Sequence, residues 1–211
     1  MSIKAPPVPL HAPNYTSLSK GTLIHRVHLS TYAGNSFNPC AGGQTRFAPI
    51  TDASGACIPS LYGGSTLDSA IYETIFHDIP AKAAMKTVRK ADVTQRSHTG
   101  LTLTRTMTLV SLRSPDLLNW AITRNSLIAS SPKLYSQTAA WAKAIHDAFA
   151  NADGLVWTSN KCDPDSAYLF FGGRVSAGDF TITTTRHGAT DPTFLSDVRN
   201  AGSRGGITIT I

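Results

Sequence analysis

Three side chains that can take part in chemistry lie close together in the sequence: Arg46, Tyr62 and Glu73. Arg46 comes before a turn-rich stretch, Tyr62 ends an apolar run, and Glu73 follows soon after a helix-capping residue. A guanidinium group offers a planar fork to phosphate oxygens, an aromatic ring stacks on another ring, and a carboxylate stabilises developing positive charge. Together these groups suit a phosphorylated ligand with a cationic ring, such as a nicotinamide dinucleotide.

The residues after Tyr62 predict a helix that carries Glu73. Ser65 or Thr66 is a suitable N-cap, because its hydroxyl can accept a hydrogen bond from the first turn, and Pro80 marks the end. Apolar side chains recur between these limits with helical spacing. Glu73 then falls on the second turn, where a rigid element holds its side chain.

Most of the remaining pattern predicts strands. Residues 101–110 begin by alternating apolar side chains with threonine, which is typical of a half-buried strand. Helices are predicted at 116–120 and 136–149. Further strands are predicted at 22–28, 155–158, 167–171, 180–183 and 207–211, with short ones at Arg46-Phe47 and 58–62. This order predicts an α+β fold, a single compact domain with strand-rich mixed sheets and interspersed helices.

The chain length of 211 residues fits one domain. Residues 1–20 are rich in proline and predict an extended leader, so we assign the domain to residues 21–211. The N-terminus lacks the apolar run of a signal peptide, and no apolar segment approaches the length of a membrane span. We therefore expect a cytoplasmic protein with no membrane partner.

The sequence has a net charge of +6, which favours an anionic partner such as a phosphorylated metabolite, a nucleic acid or an acidic protein. Charge alone does not choose among these, and a solvated positive face explains it equally well. The basic residues form no dense run; the nearest approach is Lys82, Lys86, Arg89, Lys90 and Arg96. Because aromatic residues are not interleaved with them and no recognition motif is present, we do not expect direct nucleic-acid binding.

The three cysteines, Cys40, Cys57 and Cys162, have no C-x-x-C spacing. Their odd number argues against a disulfide framework and a zinc site, and favours a reducing compartment. The seven histidines also lack metal-ligand spacing. Phosphate-binding loops, zinc-protease motifs, nucleophile elbows and the dinucleotide-binding glycine pattern are missing. We therefore expect no metal and no bound cofactor.

Four short motifs occur in a recognisable order. They are Gly21-x-Leu23-x-x-Arg26, Gly42-Gly43-x-x-Arg46-Phe47, Leu61-Tyr62 with Ala70 and Glu73 after it, and Asp153-Gly154-Leu155-x-Trp157-x-Ser159. Their order, from about Gly21 to Phe171, resembles the RES-domain toxins, a family named for its arginine, glutamate and serine. The chain departs from the family pattern at Thr45 and Ala48, where a glycine and an asparagine are common. The turn around Arg46 is therefore expected to differ.

The resemblance implies a toxin of a toxin–antitoxin pair that degrades NAD. Members have a compact fold similar to the ADP-ribosyltransferase toxins and break the bond between nicotinamide and ribose, as NAD glycohydrolases or phosphorylases. NAD is then the substrate, water or inorganic phosphate is the acceptor, and an antitoxin with a helix-turn-helix region covers the site. By matching position, the resemblance implies Glu73, Arg26 and Ser159 as catalytic residues. It implies Arg46 and Tyr62 as substrate-binding residues.

The chemistry of NAD cleavage gives each of these residues an expected role. Loss of nicotinamide produces an oxocarbenium-like ribose, whose positive charge Glu73 can stabilise. Arg26 and Arg46 fit the pyrophosphate oxygens. Tyr62 can stack on the nicotinamide ring, and Ser159 can orient Glu73 or a ribose hydroxyl. Two other functions stay open: an ADP-ribosyltransferase that modifies a macromolecule, and a non-catalytic basic nucleic-acid-binding module.

Overall fold

Strands supply most of the regular structure in the computed structural model, which describes residues 2–210. In chain order they are β1 (Tyr15–Leu18), β2 (Leu23–Leu29), β3 (Ile50–Thr51), β4 (Cys57–Ile58), β5 (Ser60–Gly64), β6 (Lys86–Arg89), β7 (Arg96–Leu103), β8 (Met107–Ser111), β9 (Gly154–Thr158), β10 (Ser166–Phe171), β11 (Phe180–His187) and β12 (Ile207–Thr210). Eight of them form one mixed sheet that curves into a half-barrel, in the order β1-β8-β9-β10-β5-β2-β7-β11. Neighbours in this sheet are antiparallel except β8 and β9, which are parallel.

The helices are mostly short. They are α1 (Leu67–Tyr72), α2 (Lys90–Thr94), α3 (Ser114–Leu118), α4 (Arg124–Leu127), α5 (Tyr135–Ala148) and α6 (Pro192–Arg204), with 3₁₀ turns at Pro132–Leu134 and Ala177–Asp179. Within residues 2–210, no helix has both the length and the apolar character that crossing a membrane requires.

The two faces of the sheet pack into separate hydrophobic clusters, because successive strand residues point to opposite faces. One cluster joins Trp141 of α5 to Trp157 of β9. Another joins Val27 of β2 to α1 and to Phe194 of α6. Ile24 of β2 belongs to a third cluster, which contains neither α1 nor α6. The residues of β2 are thereby divided between a face that α1 covers and a face that it does not.

The α+β fold class is confirmed. β2, β9, β10 and α5 lie close to their predicted positions. β12 forms in the predicted final strand and pairs in parallel with β6, while Ile211, the last residue of that prediction, lies outside the described residues. Strong local periodicity marks each of these segments in the sequence, which explains the agreement.

The prediction of one continuous strand over residues 101–110 is wrong. β7 ends at Leu103 and β8 begins at Met107. Arg105 lies in the break, where its guanidinium group binds Asp153 at 2.7 Å and Asp179 at 3.1 Å. β7 pairs with β2 and β11, whereas β8 pairs with β1 and β9, so the break allows one alternating segment to supply two distant parts of the sheet.

Two predictions near the candidate chemistry also need correction. Arg46 and Phe47 form no strand; they lie in a bend before β3. The helix after Tyr62 ends at Tyr72 instead of continuing to Pro80, so Glu73 is its C-cap and not a residue of its second turn. The N–H groups of the next three residues all bond to the single carbonyl oxygen of Ile71, which replaces the helical pattern by a tight turn.

The segment that we predicted as a leader lies against the domain. Ile3 is buried, and the indole N–H groups of Trp141 and Trp120 donate to the backbone carbonyls of Lys4 and His11 at 2.7 and 2.9 Å. Farther along, β1 adds an edge strand to the main sheet by pairing with β8. Residues 2–20 thus contribute both buried contacts and sheet hydrogen bonds.

The cysteine count argued against a disulfide framework, and the structure nevertheless contains one disulfide bond. Cys40 and Cys57 are joined by a disulfide bond, and Cys162 is free and buried. An odd number of cysteines excludes complete pairing but not a single pair. Because disulfides persist mainly in oxidising environments, one ground for a cytoplasmic location is removed, and that location stays a prediction.

Candidate active site

A cleft of about 280 Å³ lies beside the C-terminal end of α1. Its walls come from the turn after α1, the bend before β3, the start of α5 and the turn between β9 and β10. Its polar and charged lining includes Arg46, Glu73, His77, Tyr135, Asn160 and Lys161. Small-molecule sites span roughly 300–1,000 Å³, so this cleft is close in size to the smallest of them.

Glu73 is the only glutamate in the sequence. Its Oε1 accepts a hydrogen bond from Ser159 Oγ at 2.6 Å and another from the backbone N–H of Asn160 at 2.8 Å. No donor among residues 2–210 reaches its second oxygen, Oε2. One carboxylate oxygen is therefore held by the protein, and the other is available to a ligand in the cleft.

A capping box fixes the start of the helix that leads to Glu73. The Thr66 hydroxyl accepts from the N–H of Ser69 at 3.0 Å, and the Ser69 hydroxyl accepts from the N–H of Thr66 at 3.2 Å. Thr66 Oγ1 also donates to Asp165 at 2.7 Å, and the carbonyl of Asp165 accepts from the N–H of Ser159 at 2.8 Å. These bonds tie the start of α1 to the turn that holds Glu73.

Ser159 is fully buried at the end of β9. Its hydroxyl oxygen accepts from the backbone N–H groups of Cys162 at 3.2 Å and Lys161 at 3.4 Å. Because both amides donate to this oxygen, the hydroxyl hydrogen is directed to Glu73. Ser159 therefore orients the carboxylate.

Lys161 holds the turn that forms one wall of the cleft. Its ammonium group donates to the carbonyls of Phe76, His77 and Ile79 at 2.9, 2.5 and 2.6 Å. Burial is the main cause that lowers the pKa of Lys161, while Asp78 and other acidic neighbours oppose this shift. Lys161 thereby joins the turn after β9 to the turn after α1.

Arg46 lies on the cleft wall with only 5% of its surface exposed. Its guanidinium group lies over the ring of Tyr135, 5.3 Å from the centroid, and donates long hydrogen bonds to Ser130 at 3.3 and 3.4 Å. The Thr138 hydroxyl donates to the Arg46 carbonyl. The structure thus brings Arg46, Glu73 and Ser159 to one place.

Tyr62 does not line this cleft. Its hydroxyl accepts from the N–H of Phe47 at 3.0 Å and bonds to Oγ1 of the Thr45 side chain at 2.9 Å, so it contacts both residues that flank Arg46. Thr45 in turn bonds to the Ala48 carbonyl through its N–H and its hydroxyl, which shapes the bend. Burial raises the pKa of Tyr62 to about 12, which keeps the hydroxyl protonated.

Arg26 is not brought to Glu73. It lies two residues after Ile24 on β2, and the strand alternation places it on the face opposite Val27 and α1. Its guanidinium group donates to the carbonyls of Gly34 and Ser36 at 2.8 and 2.6 Å. Burial lowers the pKa of Arg26 to about 10. In this position it braces the loop after β2.

Two further residues of the cleft, His77 and Tyr135, were not predicted from the sequence. The Tyr135 hydroxyl lies 2.8 Å from His77 Nε2, and His77 Nδ1 lies 2.8 Å from Asp78 Oδ1. His77 follows Glu73 by four residues, but the helix ends at Tyr72, so helical spacing does not account for their meeting in the cleft. Nothing local in the sequence marks either residue, and Tyr135 comes from a distant helix.

The basic cluster named from the sequence is partly neutralised, since Arg89 pairs with Asp92 at 2.7 Å. In the part of the chain that the structure describes, no group of three or more histidine, cysteine, aspartate or glutamate side chains is arranged to hold a metal.

Comparison with known families agrees with this arrangement. The family model described as RES domain matches residues 23–189, which is most of the chain. No curated protein matches the sequence. RES domains are associated with NAD and with toxin–antitoxin systems. The match spans the strand with Arg26, the loop with Arg46, the helix that ends at Glu73 and the turn with Ser159, so the chain belongs to the RES-domain family.

Proposed function

We propose that this protein cleaves the bond between nicotinamide and ribose in NAD. The observation that carries the proposal is the held carboxylate of Glu73, which lines a cleft together with Arg46 and has one oxygen bound by Ser159 and Asn160. Cleavage produces positive charge on the ribose, and a fixed carboxylate stabilises that charge without reorganising.

The neighbouring residues have separate tasks in this proposal. The Arg46 guanidinium group, held over Tyr135, binds a phosphate oxygen of the dinucleotide. Ser159 keeps the carboxylate in place and does not itself contact the substrate. Water or inorganic phosphate accepts the ribosyl group, which makes the enzyme an NAD glycohydrolase or an NAD phosphorylase.

The roles of Arg26 and Tyr62 change under this proposal. Arg26 braces a loop on the far face of the sheet, and Tyr62 holds the bend that presents Arg46. Both are positioning residues here, and neither binds pyrophosphate or stacks on nicotinamide.

The first test follows NAD and its products over time with purified protein. The wild type should release nicotinamide, and Glu73→Gln should lower the rate by about a hundredfold or more, since one electrostatic contact of this type contributes that much. Asp163→Asn is the matched control, because it makes the same carboxylate-to-amide change on an exposed side chain that does not line the cleft. NAD that stays intact with the wild type, with and without phosphate, contradicts the proposal.

The same assay separates cleavage from transfer to a macromolecule. Label from the ADP-ribose half of NAD appears in small products if the acceptor is water or phosphate. Label that appears instead on protein or nucleic acid identifies an ADP-ribosyltransferase. Salt-sensitive nucleic-acid binding that is unchanged by Glu73→Gln, without any NAD loss, would identify a basic binding module.

We also propose a partner. The association of RES domains with toxin–antitoxin systems supports an antitoxin that covers the cleft, and the sequence resemblance suggests one with a helix-turn-helix region. Binding of such a protein should stop NAD cleavage in the same assay. Continued cleavage by the complex would contradict this arrangement.

A further inference from the structure

Three side chains form a hydrogen-bonded chain along the wall of the cleft. The Tyr135 hydroxyl lies 2.8 Å from His77 Nε2, and His77 Nδ1 lies 2.8 Å from Asp78 Oδ1. Tyr135, His77 and Asp78 all line the cleft beside Glu73. The side chain of Asp78 is 85% exposed, so the hydrogen-bonded chain runs along the cleft wall to a group in contact with solvent.

The donors and acceptors in this chain have one consistent direction. An ionised carboxylate only accepts hydrogen bonds, so His77 Nδ1 carries the hydrogen that points to Asp78. In a neutral imidazole the other nitrogen, Nε2, is then an acceptor. Tyr135 therefore donates its hydroxyl hydrogen to His77, which leaves the phenol oxygen free to accept a hydrogen from a molecule in the cleft.

The surroundings keep Tyr135 in its neutral form. Burial is the main cause that raises the pKa of Tyr135, and the Arg46 guanidinium group over its ring opposes this shift. The phenol thus has a hydrogen to pass on and an oxygen that can receive another. These are the two properties that a relay group needs.

We propose that Tyr135 and His77 relay the proton that the acceptor water loses when NAD is hydrolysed, an inference that rests on the proposed function. The water oxygen forms a bond to the anomeric carbon of the ribose, and the carbon–nitrogen bond breaks with its electron pair going to nicotinamide. The water proton goes to the Tyr135 oxygen, and the Tyr135 hydrogen goes to His77 Nε2. The imidazolium then releases a proton to solvent beside Asp78.

This relay matters for one acceptor and not for the other. Water must lose a proton as it attacks, and a positioned base contributes about a hundredfold or more to such a step. A phosphate dianion attacks through an oxygen that is already negative, so phosphorolysis requires no base. The structure thereby predicts that hydrolysis and phosphorolysis depend differently on His77 and Tyr135.

The experiment measures both products, free ADP-ribose and its phosphorylated form, as the concentration of inorganic phosphate is raised. His77→Gln and Tyr135→Phe should each lower hydrolysis about a hundredfold and leave phosphorolysis within a few-fold of the wild type. His146→Gln is the matched control, because His146 makes the same contact with the next residue, Asp147, but does not line the cleft. Thermal unfolding confirms that each variant is folded.

The pH profile supplies a readout that a purely structural role would not change. Wild-type hydrolysis should depend on pH because the relay must accept a proton from the attacking water, and His77→Gln should lose that dependence. The charged and titratable groups around His77 are Asp78 and Glu73 on its own segment, Tyr135 from α5, Arg46 from the bend before β3, and Lys161 from the turn after β9. The pH profile of phosphorolysis by His77→Gln should match that of the wild type, because in both proteins it reflects the ionisation of phosphate.

The outcomes separate the relay from the proposed function. Equal losses in both reactions, or no loss in hydrolysis, contradict the relay while NAD cleavage stands. A wild type that makes only the phosphorylated product also contradicts it. A wild type that leaves NAD intact contradicts the proposed function, and the relay with it.

Discussion

Tyr62 acts on the cleft through the backbone of the bend that carries Arg46. Its hydroxyl bonds to Thr45 and to the N–H of Phe47, the two residues that flank the arginine. A resemblance in sequence order identifies which residue types recur, but it does not separate a residue that contacts a ligand from one that positions its neighbour.

The Tyr62→Phe variant separates these two roles. It keeps the ring and removes the hydroxyl, so the N–H of Phe47 loses its partner and the free energy of unfolding should fall by about 1–3 kcal/mol. The KM for NAD should rise because Arg46 is less well held. Denaturant unfolding and steady-state kinetics measure the two effects, with the exposed Tyr32→Phe as the control. Unchanged stability and KM would instead support ring stacking.

The site was only partly predictable at this scale. Glu73 and Ser159 follow from motif order, and they meet in the structure through a 2.6 Å hydrogen bond between residues far apart in the chain. Tyr135 was not predictable, because its role depends on a contact with His77 that only the packing of α5 creates. Arg26 has the expected residue type, but the alternation of β2 places it on the other face.

At the scale of elements, α1 carries the candidate carboxylate although it has only six residues. Helices this short are unstable alone, so capping and packing must maintain them. Thr66 supplies the cap and also binds Asp165, which lies in the turn that holds Ser159. The position of Glu73 therefore depends on one hydroxyl group at the opposite end of its helix.

Thr66→Ala should lower the free energy of unfolding by about 0.5–2 kcal/mol, the usual cost of losing an N-cap. Thr66→Ser keeps the hydroxyl and should retain most of the stability. Urea unfolding measures both, with a shift in midpoint and no change in slope. Equal losses in the two variants would show that the methyl group, and not the cap, accounts for the effect.

Element prediction succeeded where local periodicity was sufficient. The period is clear in β9, β10 and α5. β6 has only four residues, and in the described part of the chain it pairs with β12, more than a hundred residues later. α6 is different, because Asp191 caps it, Pro192 begins it and Gly205 follows it. These are ordinary start and stop signals, so α6 could have been predicted from the sequence, although it was not among the predicted helices.

At the scale of the whole molecule, the disulfide between Cys40 and Cys57 encloses the bend that presents Arg46. The enclosed segment contains β3 and reaches the first residue of β4, and a hydrogen-bonded turn around Asp52 joins the two. The crosslink thus limits the freedom of the segment that carries Arg46.

Replacing both Cys40 and Cys57 by serine should lower the free energy of unfolding by about 3 kcal/mol, the typical contribution for a loop of similar length. The KM for NAD should rise at the same time, because Arg46 is held less firmly. Added reductant should reproduce both effects in the wild type and have no effect on the double variant. Detection of three free thiols in unreduced, denatured protein would contradict the crosslink.

The cleft draws its walls from residue 46 at one extreme and residue 161 at the other. During synthesis the N-terminal segments leave the ribosome first. Glu73 is therefore synthesised long before Ser159 and Asn160, the two residues that donate hydrogen bonds to its carboxylate. A nascent chain therefore has no assembled site until most of its residues have emerged. Under the proposed function as a NAD-degrading toxin, this late assembly would delay NAD cleavage until an antitoxin has a nearly complete chain to bind.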